Sequence, residues 1–130
     1  MNAAWEKAIT SGHVEAVRAL LGAGENVNAR DRHGQTALML AAHRGDRAVV
    51  EVLIAAGAEL DTAAKHNLTA LMLAIVAGHQ DVARLLLRAG TDVDVRGTGA
   101  PGFAGKTAYD LAQEREMRDL CADLGERSRP

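Results

Sequence analysis

Several residue types are scarce in this chain, and each scarcity excludes a class of structure. The single cysteine, Cys121, cannot form an internal disulfide, which fits a reducing compartment. Only three residues are aromatic, namely Trp5, Phe103 and Tyr109. A core without many rings has to be built from leucine, valine, isoleucine and alanine, and this composition suits closely packed helices.

Long apolar runs and an excess of charge are missing as well. No stretch approaches 18 uncharged apolar residues, so we expect no membrane span. Glu6 and Lys7 stand where a signal peptide needs an apolar run, so we expect no export signal and a cytoplasmic location. The net charge of -2 predicts no general attraction to nucleic acid or membranes. Arginine outnumbers lysine by 12 to 3 and alanine is abundant, which favours a bacterial source.

The chain does contain an internal sequence repeat. Residues 34–61 read GQTALMLAAHRGDRAVVEVLIAAGAELD, and 33 residues later residues 67–94 read NLTALMLAIVAGHQDVARLLLRAGTDVD. The copies match at Thr36/Thr69, Ala37/Ala70, Leu38/Leu71, Met39/Met72, Leu40/Leu73, Ala41/Ala74, Gly45/Gly78, Leu53/Leu86, Gly57/Gly90 and Asp61/Asp94. So many matches at one offset indicate a repeat protein.

Each copy predicts two short helices. Thr36 precedes the first helix, where its hydroxyl can accept a hydrogen bond from the Met39 backbone N–H. Gly45 is expected to end that helix in a left-handed turn, and Gly57 to end the second helix. Apolar residues recur with helical spacing in both segments, and they include Leu38 and Leu53.

The same frame divides the whole chain. We predict one domain over 1–126, with a capping unit at 1–30, inner units at 31–63 and 64–96, a second capping unit at 97–126, and a frayed tail at 127–130. The last unit is displaced, because GKTAYDLA begins 38 residues after Asn67 rather than 33. Five residues are therefore inserted within 96–105. Glu116 also stands where Gly45 and Gly78 stand in the inner units.

These residues resemble the ankyrin repeat family, whose period is 33 and whose first helix opens with T-P-L-H-x-A. The matching runs are TALMLAA from Thr36 and TALMLAI from Thr69. The resemblance implies an all-α solenoid of stacked helix-turn-helix units joined by β-hairpin loops, with about four repeats including caps, and a monomer. The family's proline is alanine here, and its histidine is Met39 or Met72, so apolar contact has to replace a hydrogen-bond network between repeats.

The resemblance also implies a site, since the hairpin tips and the inner ends of the first helices line the concave partner-binding surface in such proteins. Those positions are mostly basic, whereas acidic residues fall in the second helices and the loops that follow them. We therefore predict a basic groove for an acidic protein, with Phe103 as an apolar anchor. The predicted partner-binding residues are Arg30, Arg32, His33, Gln35, His43, Arg44, Lys65, His66, Leu68, Val76, Ala77, Arg96 and Phe103.

Three features could instead carry chemistry. The run APGFAGKT at 100–107 satisfies a phosphate-loop spacing if alanine replaces the first glycine. However, no strong strand precedes it, and Gly105-Lys106-Thr107 simply repeats Gly34-Gln35-Thr36. A metal site would need the histidines to converge, although His13 and His79 are explained by the repeat pattern. Cys121 lies beside leucines in the last helix, which indicates packing. We predict no enzyme activity, no cofactor and no metal.

The leading functional prediction is a non-catalytic protein-binding module. Two alternatives remain open, namely nucleic-acid binding through the same groove and an inhibitor or immunity-type regulator of a partner enzyme. Nucleic-acid binding lacks aromatic stacking residues in the groove.

Overall fold

The computed structural model describes residues 1–99 and 102–127. Within that range the chain forms eight α-helices in four pairs, one pair for each predicted unit. The helices are α1 (Ala3–Ser11), α2 (Val14–Gly22), α3 (Ala37–Arg44), α4 (Arg47–Ala55), α5 (Ala70–Val76), α6 (Gln80–Ala89), α7 (Ala108–Glu114) and α8 (Arg118–Arg127). Two predicted features lie partly outside the described range: the tail predicted at 127–130, of which 127 is described, and the run at 100–107, of which Ala100 and Pro101 are not described.

The first helix of each later unit begins at a buried threonine. The hydroxyls of Thr36, Thr69 and Thr107 each accept a hydrogen bond of 3.3 Å from the backbone N–H three residues ahead. Such caps satisfy amides that the helix itself leaves unpaired. At Thr107 the Asp110 carboxylate also bonds back to the cap residue and completes a capping box. The predicted role of Thr36 is confirmed.

The turns that end the first helices keep the same backbone form. Gly45 ends α3 with φ 77, in the left-handed region, as predicted. Glu116 occupies the equivalent place in the last unit and adopts φ 56, although it is not glycine. The last unit therefore keeps the turn and carries the conformational cost of a side chain there.

The four units stack so that the helices form two layers. Helices α1, α3, α5 and α7 pack side by side in one layer, and α2, α4, α6 and α8 form the other. The core lies between and within these layers. Leu53 is fully buried, and Met39 and Met72 are each 1% exposed. Apolar packing at the two methionines thus takes the place of the hydrogen bonds expected from a histidine.

The connecting loops resemble β-hairpins, but in the described residues they contain isolated β-bridges rather than β-strands. In the described part of the chain there are only isolated bridges, one of them the antiparallel pair Arg30 and Thr36. The next loop contains a tight turn at Lys65–Asn67 whose backbone is not helical, since His66 has φ 64. The fold is therefore an all-α solenoid.

Candidate functional site

The loop between the first and second units, here called the second tip (residues 31–35), is held by Asp31. Its carboxylate accepts hydrogen bonds from the backbone N–H groups of His33 at 2.8 Å and Gln35 at 2.9 Å. The Asp31 N–H in turn donates to the Gln35 carbonyl at 2.8 Å. This pattern gives Asp31 a structural role in the tip and leaves the side chains of Arg32 and His33 exposed.

The loop between the second and third units, here called the third tip (residues 64–68), is built differently. Ala64 occupies the frame position of Asp31, so the side-chain acceptor is lost. The Ala64 N–H donates to the Leu68 carbonyl at 2.9 Å, and the Asn67 N–H donates to the Ala64 carbonyl at 3.0 Å. His66 and Asn67 both adopt left-handed conformations, with φ 64 and φ 60.

The two tips enclose a groove of about 550 Å³. It brings together six of the predicted partner-binding residues: Arg32, His33, Gln35, Lys65, His66 and Leu68. Ala64 and Leu73 also line the groove, and the sequence did not reveal them. Leu73 is 8% exposed and matches Leu40 in the repeat, a position that the sequence indicates as core. Its side chain nevertheless reaches the groove, and only the structure reveals this.

The charges in the groove are unneutralised. Within residues 1–99 and 102–127, Arg32 and Lys65 make no ion pair. Arginines also occur on the second helices, but several of them face carboxylates. Those pairs are Arg18 with Glu15 at 3.0 Å, Arg47 with Glu51 at 3.6 Å and Arg84 with Asp123 at 3.8 Å. The simple division into a basic inside and an acidic outside therefore needs refinement, since Arg88 on a second helix makes no ion pair with the described residues either. What distinguishes the groove is that basic side chains from two units line it and no carboxylate from the described part of the chain does.

Two of the predicted arginines brace the loops. Arg30 Nη1 donates to the carbonyls of Gly34 and Ala63, both at 3.2 Å. Arg96 occupies the same frame position two units later, and its Nη1 donates to the Gly105 carbonyl at 2.6 Å. The Arg30 guanidinium thus links the second tip to the start of the third, the Arg96 guanidinium braces the loop that follows the third unit, and both residues are exposed.

The other predicted residues lie outside the lining of the groove. His43 and Arg44 are exposed at the end of α3, and Val76 and Ala77 are half-buried at the end of α5. Phe103 is half-buried and packs against the hydrophobic core. Its backbone and Cβ lie so close to Gly97 that a side chain on Gly97 would collide with them.

The phosphate-loop resemblance is not accompanied by a phosphate cradle in the described residues. The N–H groups of Gly105 and Lys106 donate to the carbonyls of Gly97 and Phe103, at 2.9 Å and 3.0 Å. The Lys106 ammonium pairs with Glu114, and the Thr107 hydroxyl caps α7. The motif is therefore a loop followed by a helix cap, as comparison with Gly34-Gln35-Thr36 predicts.

Histidine and cysteine side chains do not assemble a reactive centre in the described part of the chain. No group of three histidine, cysteine or acidic side chains there could hold a metal ion. His79 packs against Gly45 of the preceding unit, which gives it the structural role expected from the repeat pattern. Burial raises the pKa of the Cys121 thiol, so its reactive thiolate is disfavoured at neutral pH.

Comparison with protein families decides the classification. A model described as ankyrin repeats, in three copies, matches residues 2–97. This chain belongs to the ankyrin repeat family. The match spans the first three units and ends where the inserted loop begins, so the last ankyrin unit is recognised by its helix pair and its threonine cap.

Membership of the ankyrin family confirms the resemblance and the all-α fold. Ankyrin repeats are generally non-catalytic protein–protein interaction modules. A comparison with curated proteins found no match. Among the described residues, no helix has the length and apolar character needed to cross a bilayer.

Proposed function

We propose that this ankyrin protein binds an acidic protein surface through the groove between its second and third tips. The observation that carries the proposal is the convergence of Arg32 and Lys65, from two different units, on one cavity where no carboxylate of the described residues pairs with either. The exposed guanidinium and ammonium groups flank a floor that includes Leu68 and Leu73. Such a site suits a segment that carries carboxylates beside an aliphatic side chain.

Binding would proceed in two stages. The unpaired charges attract a negative surface over about 10 Å at moderate ionic strength, which raises the association rate. Apolar contact with Leu68 and Leu73 then slows dissociation, since exclusion of water from apolar area contributes most of the affinity at the centre of an interface. Whether the bound protein is inhibited or recruited depends on the partner, and an enzyme partner would make this chain a regulator.

Charge reversal tests the proposal. Arg32→Glu combined with Lys65→Glu is expected to slow association with the partner by about ten-fold or more at low salt. The partner would be obtained by cross-linking to the wild-type protein, and its association rate measured by surface plasmon resonance at several salt concentrations. Both side chains are exposed, so the stability of the fold should be nearly unchanged.

A matched control variant makes the same change in net charge at two positions away from the groove. Arg18→Glu combined with Arg88→Glu reverses two exposed arginines on second helices and is expected to leave association close to wild type. If both double variants lose binding equally, the effect is one of net charge and the groove assignment fails. If single-stranded DNA or RNA binds in a groove-dependent and steeply salt-dependent manner while no protein does, the nucleic-acid alternative replaces this proposal.

A further inference from the structure

The third tip lacks both of the residues that stabilise the second tip internally. Asp31 and Gly34 of the second tip correspond to Ala64 and Asn67 in the third. Ala64 cannot accept the backbone hydrogen bonds that Asp31 accepts, and Asn67 takes a left-handed conformation without being glycine. A left-handed conformation is unfavourable for most residues with a Cβ, and although asparagine tolerates it, His66 beside it adopts one too.

The loop that follows the third unit supplies contacts to this tip. The Thr98 N–H donates to the His66 carbonyl at 2.8 Å, and the Asn67 side-chain amide donates to the Arg96 carbonyl at 2.9 Å. Each of the two left-handed residues, His66 and Asn67, is therefore held by one hydrogen bond to this loop. The Arg96 guanidinium in turn bonds to the Gly105 carbonyl, which fixes the base of the same loop.

We propose that residues 96–99 clamp the third tip from outside and thereby position Lys65 and His66 at the groove. The five-residue insertion within 96–105 thus lies beside the tip that has Ala64 and Asn67 in place of the internal clasp formed by Asp31 and Gly34. The clamp is inferred from the two hydrogen bonds to residues 96–99, and only its consequence for binding rests on the proposed function.

The backbone amides of the tip report directly on the clamp. Deletion of residues 98–102 restores the 33-residue spacing and takes out Thr98 together with the loop that positions its N–H, so that the residue after Gly97 is Phe103, which packs against the core. The amides at positions 64 and 67 are then expected to exchange with solvent about five-fold faster or more, as measured by NMR, because a bond worth about 1 kcal/mol is lost. The amides of Asp31 and Gly34, in the internally clasped second tip, should be unchanged and serve as a control within the same molecule.

A rescue experiment distinguishes the clamp from general damage. Ala64→Asp together with Asn67→Gly, in the deletion background, rebuilds the clasp that the second tip uses, and slow exchange should return. Should the deletion variant fail to fold, Asn67→Asp in the intact chain removes the side-chain donor with almost no change in shape and should also accelerate exchange at position 67. Unchanged exchange in a folded deletion variant, or in Asn67→Asp, would overturn the clamp.

Binding is tested separately with a fluorescein-labelled oligoglutamate peptide as a probe of the groove. Affinity measured by fluorescence anisotropy should fall in the deletion variant and recover in the rescue variant. If exchange responds as expected while the peptide binds the wild type and all variants equally, the clamp stands and its role in positioning the groove is refuted. If the wild type does not bind the peptide but exchange responds, the clamp stands and the proposed acidic partner is contradicted.

Discussion

The imidazole ring of His79 lies against Gly45 of the preceding unit. A Cβ built on Gly45 would stand 2.6 Å from His79 Cγ, well inside van der Waals contact. Gly45 therefore meets two requirements, because it ends α3 in a left-handed conformation and leaves room for the ring of the next unit.

Gly45→Ala should consequently be more damaging than an alanine at the equivalent glycine. At Gly78, with φ 87, a Cβ would meet nothing within 4 Å, so Gly78→Ala adds only the backbone cost of about 1–2 kcal/mol. Gly45→Ala adds overpacking of about 1–3 kcal/mol to that cost. Urea denaturation of both variants measures the difference. Equal losses in the two variants would mean that His79 moves aside freely.

Leu53 should be among the most sensitive core positions. It is fully buried in α4, between the helices of neighbouring units, so Leu53→Ala is expected to lower the free energy of unfolding by about 2–5 kcal/mol. Leu85 in α6 is only half-buried, and Leu85→Ala should cost clearly less. Calorimetric unfolding of the two variants provides the test. A near-zero shift in Tm for Leu53→Ala would contradict its place in the core.

Glu116 offers a stabilising change. It adopts φ 56 at a turn where the inner units have glycine, and its side chain is exposed. Glu116→Gly removes a conformational cost of about 1–2 kcal/mol from the folded state. Glycine also raises the conformational entropy of the unfolded chain, which offsets part of this gain, so a net stabilisation of about 0.5–1 kcal/mol is expected. Glu116→Ala removes the same carboxylate and keeps the Cβ, so it should not stabilise. A parallel rise in Tm for both variants would point to charge rather than backbone strain.

The repeat frame predicted the fold because its signals are local. Thr36 caps a helix through an N–H three residues away, and Gly45 ends it, so neighbouring residues alone indicate the helix pair. The fixed offset of 33 then places Arg32 and Lys65 on successive tips. That is sufficient to predict a basic surface at the tips.

The remaining features of the site depend on contacts between units, which no local pattern records. The bond from Arg30 to the Ala63 carbonyl crosses 33 positions of sequence. The conformation of His66 depends on a loop that begins 30 residues later. Leu73 lines the groove because the adjoining tip leaves one edge of it open, although its repeat position indicated only core. These contacts determine which predicted residues line the groove and which brace the loops.

Trp5 combines complete burial with an unpaired polar atom. Its ring lies in the core at the N-terminal unit, and its indole Nε1 has no hydrogen-bond partner in the described residues. An unsatisfied buried donor costs about 1–3 kcal/mol, so loss of the N–H should offset much of the packing lost in Trp5→Phe. We expect that variant to lower the free energy of unfolding by less than about 1.5 kcal/mol.

Trp5→Ala is the comparison, because it empties the same site and should cost about 3–5 kcal/mol. Urea denaturation followed by circular dichroism measures both variants, since the only tryptophan fluorescence is lost in each. A large loss for Trp5→Phe, close to that of Trp5→Ala, would mean that the indole N–H is satisfied in solution. An internal water molecule would then have to supply the acceptor, and the N-terminal unit would be held by a polar contact as well as by packing.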